Sequence, residues 1–137
     1  MRVTAALIPS DGRIFVARRP PWKKFGLLWE FPGGKVEPGE ELEDSLVREI
    51  SEELCLDIVV RDFFRSISYE EKDFSIELHA FWCSISGGLI CLREHVESMW
   101  AFVPELQEVS LTAADRLLIP HLESLRSLPD YSPIHSA

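Results

Sequence analysis

The chain has 137 residues, 46% of them hydrophobic and 27% charged, enough for one domain with a real core. Lys and Arg number 14 against 23 Asp and Glu, and the net charge of −9 argues against a nucleic-acid polymer as partner, because that affinity comes mostly from basic side chains on phosphates. A small anion escorted by a divalent cation is still admitted, since the cation inverts the local electrostatics. No apolar run approaches the length needed to span a membrane. Met1-Arg2 leads into VTAALI, which lacks the apolar core and cleavage site of a signal peptide, so a cytoplasmic location is expected. Cys55, Cys83 and Cys91 are odd in number and lack CxxC spacing, and are expected to be reduced core residues.

Residues 3–8 read as a buried strand, Ser10-Asp11-Gly12 as a turn, and residues 13–18 as its hairpin partner. Residues 19–28 form a loop, and Trp29-Glu30-Phe31-Pro32 delivers the chain into Gly33-Gly34. Gly33-Gly34 and Pro38-Gly39 are turn chemistry. A helix follows, with Leu42, Leu46, Ile50 and Leu54 in an apolar stripe and Val47 beside it. Glu49, Glu52 and Glu53, at i, i+3 and i+4, share another face.

That face is costly. Like charges at i, i+4 destabilise a helix by a few tenths of a kcal/mol per pair, and Glu52 and Glu53 lie where the helix dipole disfavours negative charge. A solvated acidic face is the plain alternative. The Gly-Gly and Pro-Gly turns and a further Glu40 favour a bound cation, and hard oxygen donors suit Mg²⁺ or Mn²⁺.

Farther on, residues 57–69 and 74–85 read as strands joined by a charged turn, Glu70-Glu71-Lys72-Asp73. Gly87-Gly88 reads as a turn, 89–92 as a short strand and 99–103 as another. Thr112 is an N-cap for a helix to about residue 126, with Leu117, Leu118, His121 and Leu122 on or near its inner face. Residues 1–127 are taken as one domain, and 128–137, with Pro129 and Pro133, as a loose tail.

The run from Gly34 through Glu40 to Arg48-Glu49-Ile50-Ser51-Glu52-Glu53 closely resembles the Nudix box, G-x5-E-x7-R-E-U-x-E-E-x-G-U, the signature of the Nudix hydrolases. Every fixed position matches except the second Gly, which is Cys55 here; Leu56 restores the last apolar position. A Gly there would close the helix in a left-handed conformation, so Cys55 implies a local stability cost on the order of 1 kcal/mol. A redox role for Cys55 is the alternative. Outside the box, Phe15-Val16-Ala17-Arg18-Arg19, Trp29-Glu30-Phe31-Pro32-Gly33-Gly34-Lys35, Trp100 and Ala113-Ala114-Asp115 resemble the MutT branch, the nucleoside triphosphate pyrophosphohydrolases acting on 8-oxo-dGTP or CTP.

The resemblance implies an α/β fold, a Nudix-type α/β/α sandwich with a mixed sheet and a loop-helix-loop. It implies that Glu49, Glu52 and Glu53, with the Gly33 carbonyl, bind Mg²⁺, or Mn²⁺ in its place, and that Arg48 orients Glu49. Glu40 braces the loop or binds metal at second hand, Gly34 supports the loop, and Arg19 and Lys35 meet phosphate. Asp115 stands where MutT enzymes carry a residue that reads the base. A carboxylate there accepts hydrogen bonds only, favouring a base with an amino group. Phe74 and the tryptophans are candidate stacking partners; core packing is the alternative, most of all for Trp82. Glu94 is a further candidate metal ligand, preferred over Glu97. A zinc site from His95 and Cys91 lacks the usual four ligands.

The implied reaction is hydrolysis of a nucleoside triphosphate to NMP and pyrophosphate, with Glu49 or Glu53 as base, in nucleotide-pool sanitation and DNA repair. The implied partner is a small nucleotide, with no polymer and no membrane; the protein is a monomer or homodimer. The rival readings are a Nudix hydrolase of ADP-ribose, a dinucleoside polyphosphate or a sugar nucleotide, and a silent nucleotide-binding Nudix module.

Overall fold

Alternation along three strands sets the architecture. In the computed structural model, which describes residues 1–132, most of β1 (Arg2–Leu7) and β3 (Arg13–Arg18) and the centre of β7 (Phe74–Gly88), residues 78–84, are buried on both faces. Ala5, Leu7, Ile14, Val16, Leu78, Ala80 and Trp82 face one core, while Ala6, Phe15, Ala17, Phe81 and Cys83 face another. The near-continuous apolar runs follow from this double burial.

The first core is closed by Leu106, from a 3₁₀ turn at Val103–Gln107, and by Leu118, Ile119 and Leu122 from α2 (Ala113–Arg116), α3 (Ile119–Glu123) and the turn between them. The second is closed by Leu46, Ile50 and Leu54 of α1 (Leu42–Leu54). Helices thus cover both sides of the strands, the expected α/β/α layering.

One sheet runs β5 (Gly33–Lys35), β1, β7 and β6 (Leu56–Glu71). It is mixed, because β1 and β7 are parallel, with Ala5 opposite Ala80, while the other pairs are antiparallel. The second sheet is built on β3, which pairs with β8 (Glu97–Phe102) and with two-residue strands β2 (Pro9–Ser10) and β4 (Trp29–Glu30).

Several expectations change. Residues 3–8 and 13–18 are not hairpin partners: only β2 closes on β3 across the Asp11-Gly12 turn, and β1 belongs to the other sheet. Gly33-Gly34 is strand, lying against Ala5 and Thr4 of β1. Gly87 and Gly88 still pair with Asp57 and Leu56, and residues 89–92 form no strand. The helix expected from Thr112 to about residue 126 is two short pieces, split at Leu117-Leu118 just before Pro120, which has no N–H to continue the ladder. Leu117 and Val47 are exposed, while Leu118 and Leu122 are buried. Only Cys83 of the three cysteines is in the core. Trp82 is buried, but Trp22 is 77% exposed, outside any core. Leu128 and Tyr131 pack against the first core cluster, so the segment after residue 127 is tied down at least that far; the last residues of the expected tail, 133–137, lie outside the described residues.

No helix among the described residues is long and apolar enough to cross a membrane.

Candidate active site

α1 presents its carboxylates to β5 and to the loop before β8. Ile50 and Leu54 fix its rotation by entering the second core, which turns Glu49 and Glu53 toward Gly33 and Gly34. Glycine is required at both strand positions. A Cβ on Gly33 would overlap the Thr4 carbonyl oxygen, and one on Gly34 would collide with the Glu49 carboxylate. Gly34 therefore gives Glu49 its seat.

Arg48 ties the helix to the loop before it. Its Nε and one terminal nitrogen bond both oxygens of Glu40, at 2.8 and 3.1 Å, and its other terminal nitrogen reaches Glu49 at 3.1 Å and Glu52 at 3.3 Å. Glu40 also accepts the Glu37 N–H at 3.0 Å, and the Arg48 bonds hold its carboxyl down to about 2. The expected Arg48–Glu49 pair is present, but the fork grips Glu40, as bidentate guanidinium–carboxylate geometry favours.

Glu53 is only 6% exposed, and its Oε2 has no hydrogen-bond partner. Burial, then the charges of Glu30, Glu49 and Glu94, push its carboxyl up to about 10. Burial also raises Glu49, against the opposing pull of Arg48. Glu52 leans into solvent and does not line the cleft. Glu94 lines it, held by Lys23 at 2.9 Å. Among the described residues no three His, Cys, Asp or Glu side chains converge on one point at ligand distance.

This end of the cleft has a volume of about 440 Å³. It runs into a second hollow of about 510 Å³, with Arg19, Glu30, Gly33, Gly34 and Lys35 shared by both. The second hollow is more apolar, lined by Phe25, Leu28, Phe31, Phe74 and Ile76. Phe74 packs on Phe25 with ring centroids 5.9 Å apart, and Lys24 Nζ sits 4.1 Å above the Phe74 ring. At its floor, the Asp115 Oδ2 accepts the Phe31 N–H at 2.9 Å. Burial, then Glu30, raises the Asp115 carboxyl to about 7; the Phe31 amide, Thr112 and Arg19 oppose that rise. Burial thus brings the Asp115 carboxyl toward neutrality, and in its protonated form it can donate as well as accept.

One group, Glu30, went unassigned in the sequence. Glu30 accepts Arg19 at 2.9 Å on Oε1 and faces His95 Nε2 at 2.8 Å on Oε2. It sits between Glu53 and Asp115 in effect, raising both. The signal was in W-E-F-P-G-G, where a carboxylate stands among apolar residues. His95 is committed to Glu30, so the zinc pairing with Cys91 does not form. Arg19 lines the cleft, with its Nε–H donating to the Lys24 carbonyl.

The sequence profile of the NUDIX domain matches residues 1–122. The chain belongs to the Nudix family. It is a Nudix hydrolase of the MutT-like branch, a hydrolase acting on acid anhydrides. Relatives include the CTP pyrophosphohydrolase of Escherichia coli (strain K12), 38% identical over 128 residues and 93% of each chain. The 8-oxo-dGTP diphosphatase of Buchnera aphidicola subsp. Schizaphis graminum (strain Sg) is 32% identical over 123 residues, covering 90% of this chain and 93% of that one. The solution structure of the E. coli ORF135 protein superposes with a TM-score of 0.79 at 36% identity, over 91% of this chain and 89% of that one.

Nudix hydrolases act on small nucleotide substrates and generally use divalent metal ions. The residues of this Nudix hydrolase fit such an ion. Glu53 keeps a buried carboxylate oxygen without a partner, Gly34 leaves room for Glu49, and the donors are hard oxygens.

Proposed function

We propose that this Nudix hydrolase converts nucleoside triphosphates to NMP and pyrophosphate with Mg²⁺, for which Mn²⁺ substitutes, in sanitation of the nucleotide pool. The observation that carries this reading is the buried, unpartnered Glu53 oxygen beside Glu49, at the polar end of a cleft whose other end is an apolar slot floored by Asp115. A triphosphate has the same two-ended chemistry.

Glu49, Glu53, Glu94 and the Gly33 carbonyl would hold the cation, with Glu52 joining from the helix edge. The cation supplies charge neutralisation and a lowered pKa for the attacking water. The chain's own residues do the rest. Arg48 opposes the rise that burial imposes on Glu49 and fixes its direction, which favours Glu49 over Glu53 as the base while both remain near the cation. Arg19 and Lys35, at the junction of the two hollows, would meet the phosphates. Glu30 holds Arg19 in place, and Lys23 would release Glu94. Phe74 would stack on the base while Asp115 and the Phe31 backbone read its edge.

The identity to a protein named CTP pyrophosphohydrolase supports cytosine among the accepted bases. The test is a pyrophosphate-release screen with Mg²⁺ over the common NTPs and dNTPs, 8-oxo-dGTP and 5-methyl-dCTP, with ADP-ribose and diadenosine tetraphosphate alongside. Triphosphates giving NMP and pyrophosphate are the expected result. Cleavage of ADP-ribose or the dinucleotide alone would overturn the substrate assignment and leave the family intact.

A further inference from the structure

The helix that carries the carboxylates ends on a cysteine, and a second cysteine lies against it. Cys55 closes α1 in the left-handed region, with φ 60° and ψ 26° and its N–H on the Ser51 carbonyl. After β7 the chain returns to this spot. The Cys91 N–H donates to the Leu54 carbonyl at 2.9 Å, and the Arg93 N–H to the Glu53 carbonyl at 3.0 Å. Arg93 Nε–H then points at Cys55 Sγ, 3.1 Å away. The Cys91 backbone is thus bonded to the residue next to Cys55, and the neighbouring Cys55 thiol pushes the Cys91 thiol up. Both are free, Cys91 exposed and Cys55 half-buried, while Cys83 is fully enclosed in the second core.

A disulfide needs Cα atoms roughly 4.4–6.8 Å apart, and a backbone bond from Cys91 to the residue before Cys55 sets the two residues side by side. The exposed loop that bears Cys91 carries no strand and can adjust to bring the sulfurs together. Cys55 also holds a left-handed conformation that favours glycine, a strained position of the kind that persists at functional sites.

We propose that Cys55 and Cys91 are a redox-modification site, closed to an intramolecular disulfide by an oxidant of the peroxide class. One sulfur attacks the O–O bond and becomes a sulfenic acid, releasing one water. The other sulfur displaces the hydroxyl as a second water and forms the S–S bond. Two thiols and one peroxide thus give one disulfide and two waters, and a dithiol reductant reverses the change. The bond ties the loop bearing Glu94 and His95 to the last turn of α1. It rests on the two sulfurs and their backbone contacts, and stands whatever the substrate.

The test is oxidation of the reduced, full-length protein with hydrogen peroxide, followed by denaturation, alkylation and mass mapping without reductant. The expected product has lost two hydrogens, alkylates only at Cys83, yields a linked peptide containing Cys55 and Cys91, and regains three free thiols with dithiothreitol. Cys91→Ser and Cys55→Gly each abolish the linked peptide, and Cys83→Ser keeps it. Oxygen adducts on Cys91 without the link, a disulfide-joined dimer, or three alkylated thiols after peroxide would each overturn the site. Reduced Cys91→Ser retains the wild-type hydrolysis rate, because its sulfur does not line the cleft.

Discussion

At the scale of residues, two carboxyl groups, Glu53 and Asp115, carry the proposed chemistry. Glu53→Gln keeps the shape of the side chain and removes its charge. It is expected to lower kcat by ~10²-fold or more, the usual cost of losing a central electrostatic group, with far-UV circular dichroism unchanged. More than about a tenth of kcat remaining would refute Glu53 as a core ligand. Asp115 gives a sharper signature. Its carboxyl, raised to about 7, can donate and accept below that pH and only accept above it. dCTP presents an amino group where dUTP presents a carbonyl. The preference for dCTP should therefore grow about tenfold or more between pH 6 and 8.5, as a charge-assisted bond replaces a repulsive pair. Asp115→Asn still accepts the Phe31 amide and makes the ratio flat; a flat ratio in the unmodified enzyme would remove Asp115 from base reading. The box carboxylates were readable because their spacing is local. The Glu30–His95 pair was not, since it joins residues 65 apart that meet only once β4 lies beside the loop before β8.

At the scale of elements, α1 is the part whose sequence and structure agree best. Its four-residue apolar repeat buries Leu46, Ile50 and Leu54 completely, which turns the carboxylate face toward β5. Its ends were harder. Glu41 at the N-cap makes no side-chain capping bond, and the helix start is held instead by the Arg48–Glu40 fork. The last turn has no basic residue to oppose the dipole and closes on Cys55. Cys55→Gly is expected to raise stability by about 0.5–1 kcal/mol in urea melts under reducing conditions, because glycine enters the left-handed region without a Cβ penalty. Unchanged or lower stability would mean that the Arg93 and Cys91 contacts at sulfur outweigh the backbone strain. Strand pairing was the illegible level. The Asp11-Gly12 turn does make a hairpin, but of two residues, because Pro9 ends the reach of β2 and β1 finds a parallel partner more than 70 residues away. A turn motif reports the local bend; which sheet each flanking strand joins depends on distant apolar faces that local pattern does not encode.

At the scale of the whole molecule, the acidic cleft makes stability depend on pH and cation together. Glu53 titrates near 10 in the fold against 4.5 unfolded, and Asp115 near 7 against 3.8. Between those values the folded chain still holds protons that the unfolded chain has released, so rising pH favours unfolding: the Glu53 contribution declines from pH 4.5 to about 10, and that of Asp115 from 3.8 to about 7. Glu40 has the opposite sign, since a folded value near 2 adds stability above pH 4.5 and loses it only in acid. The chelator-treated protein should accordingly melt lower at pH 9 than at pH 5.5, while Glu53→Gln, which has no proton to lose, shows a much shallower decline. A divalent cation held as proposed would stabilise the ionised cluster and so act most at high pH. At a hundredfold excess over its Kd, Mg²⁺ adds about 2.7 kcal/mol, on the order of 10 °C in Tm for a domain of this size. Differential scanning calorimetry over pH 5–9, with and without Mg²⁺, separates the two effects. A Tm independent of pH in the chelated protein would mean that Glu53 is already ionised without a cation, and the fit of the cluster to a metal would lose its main support.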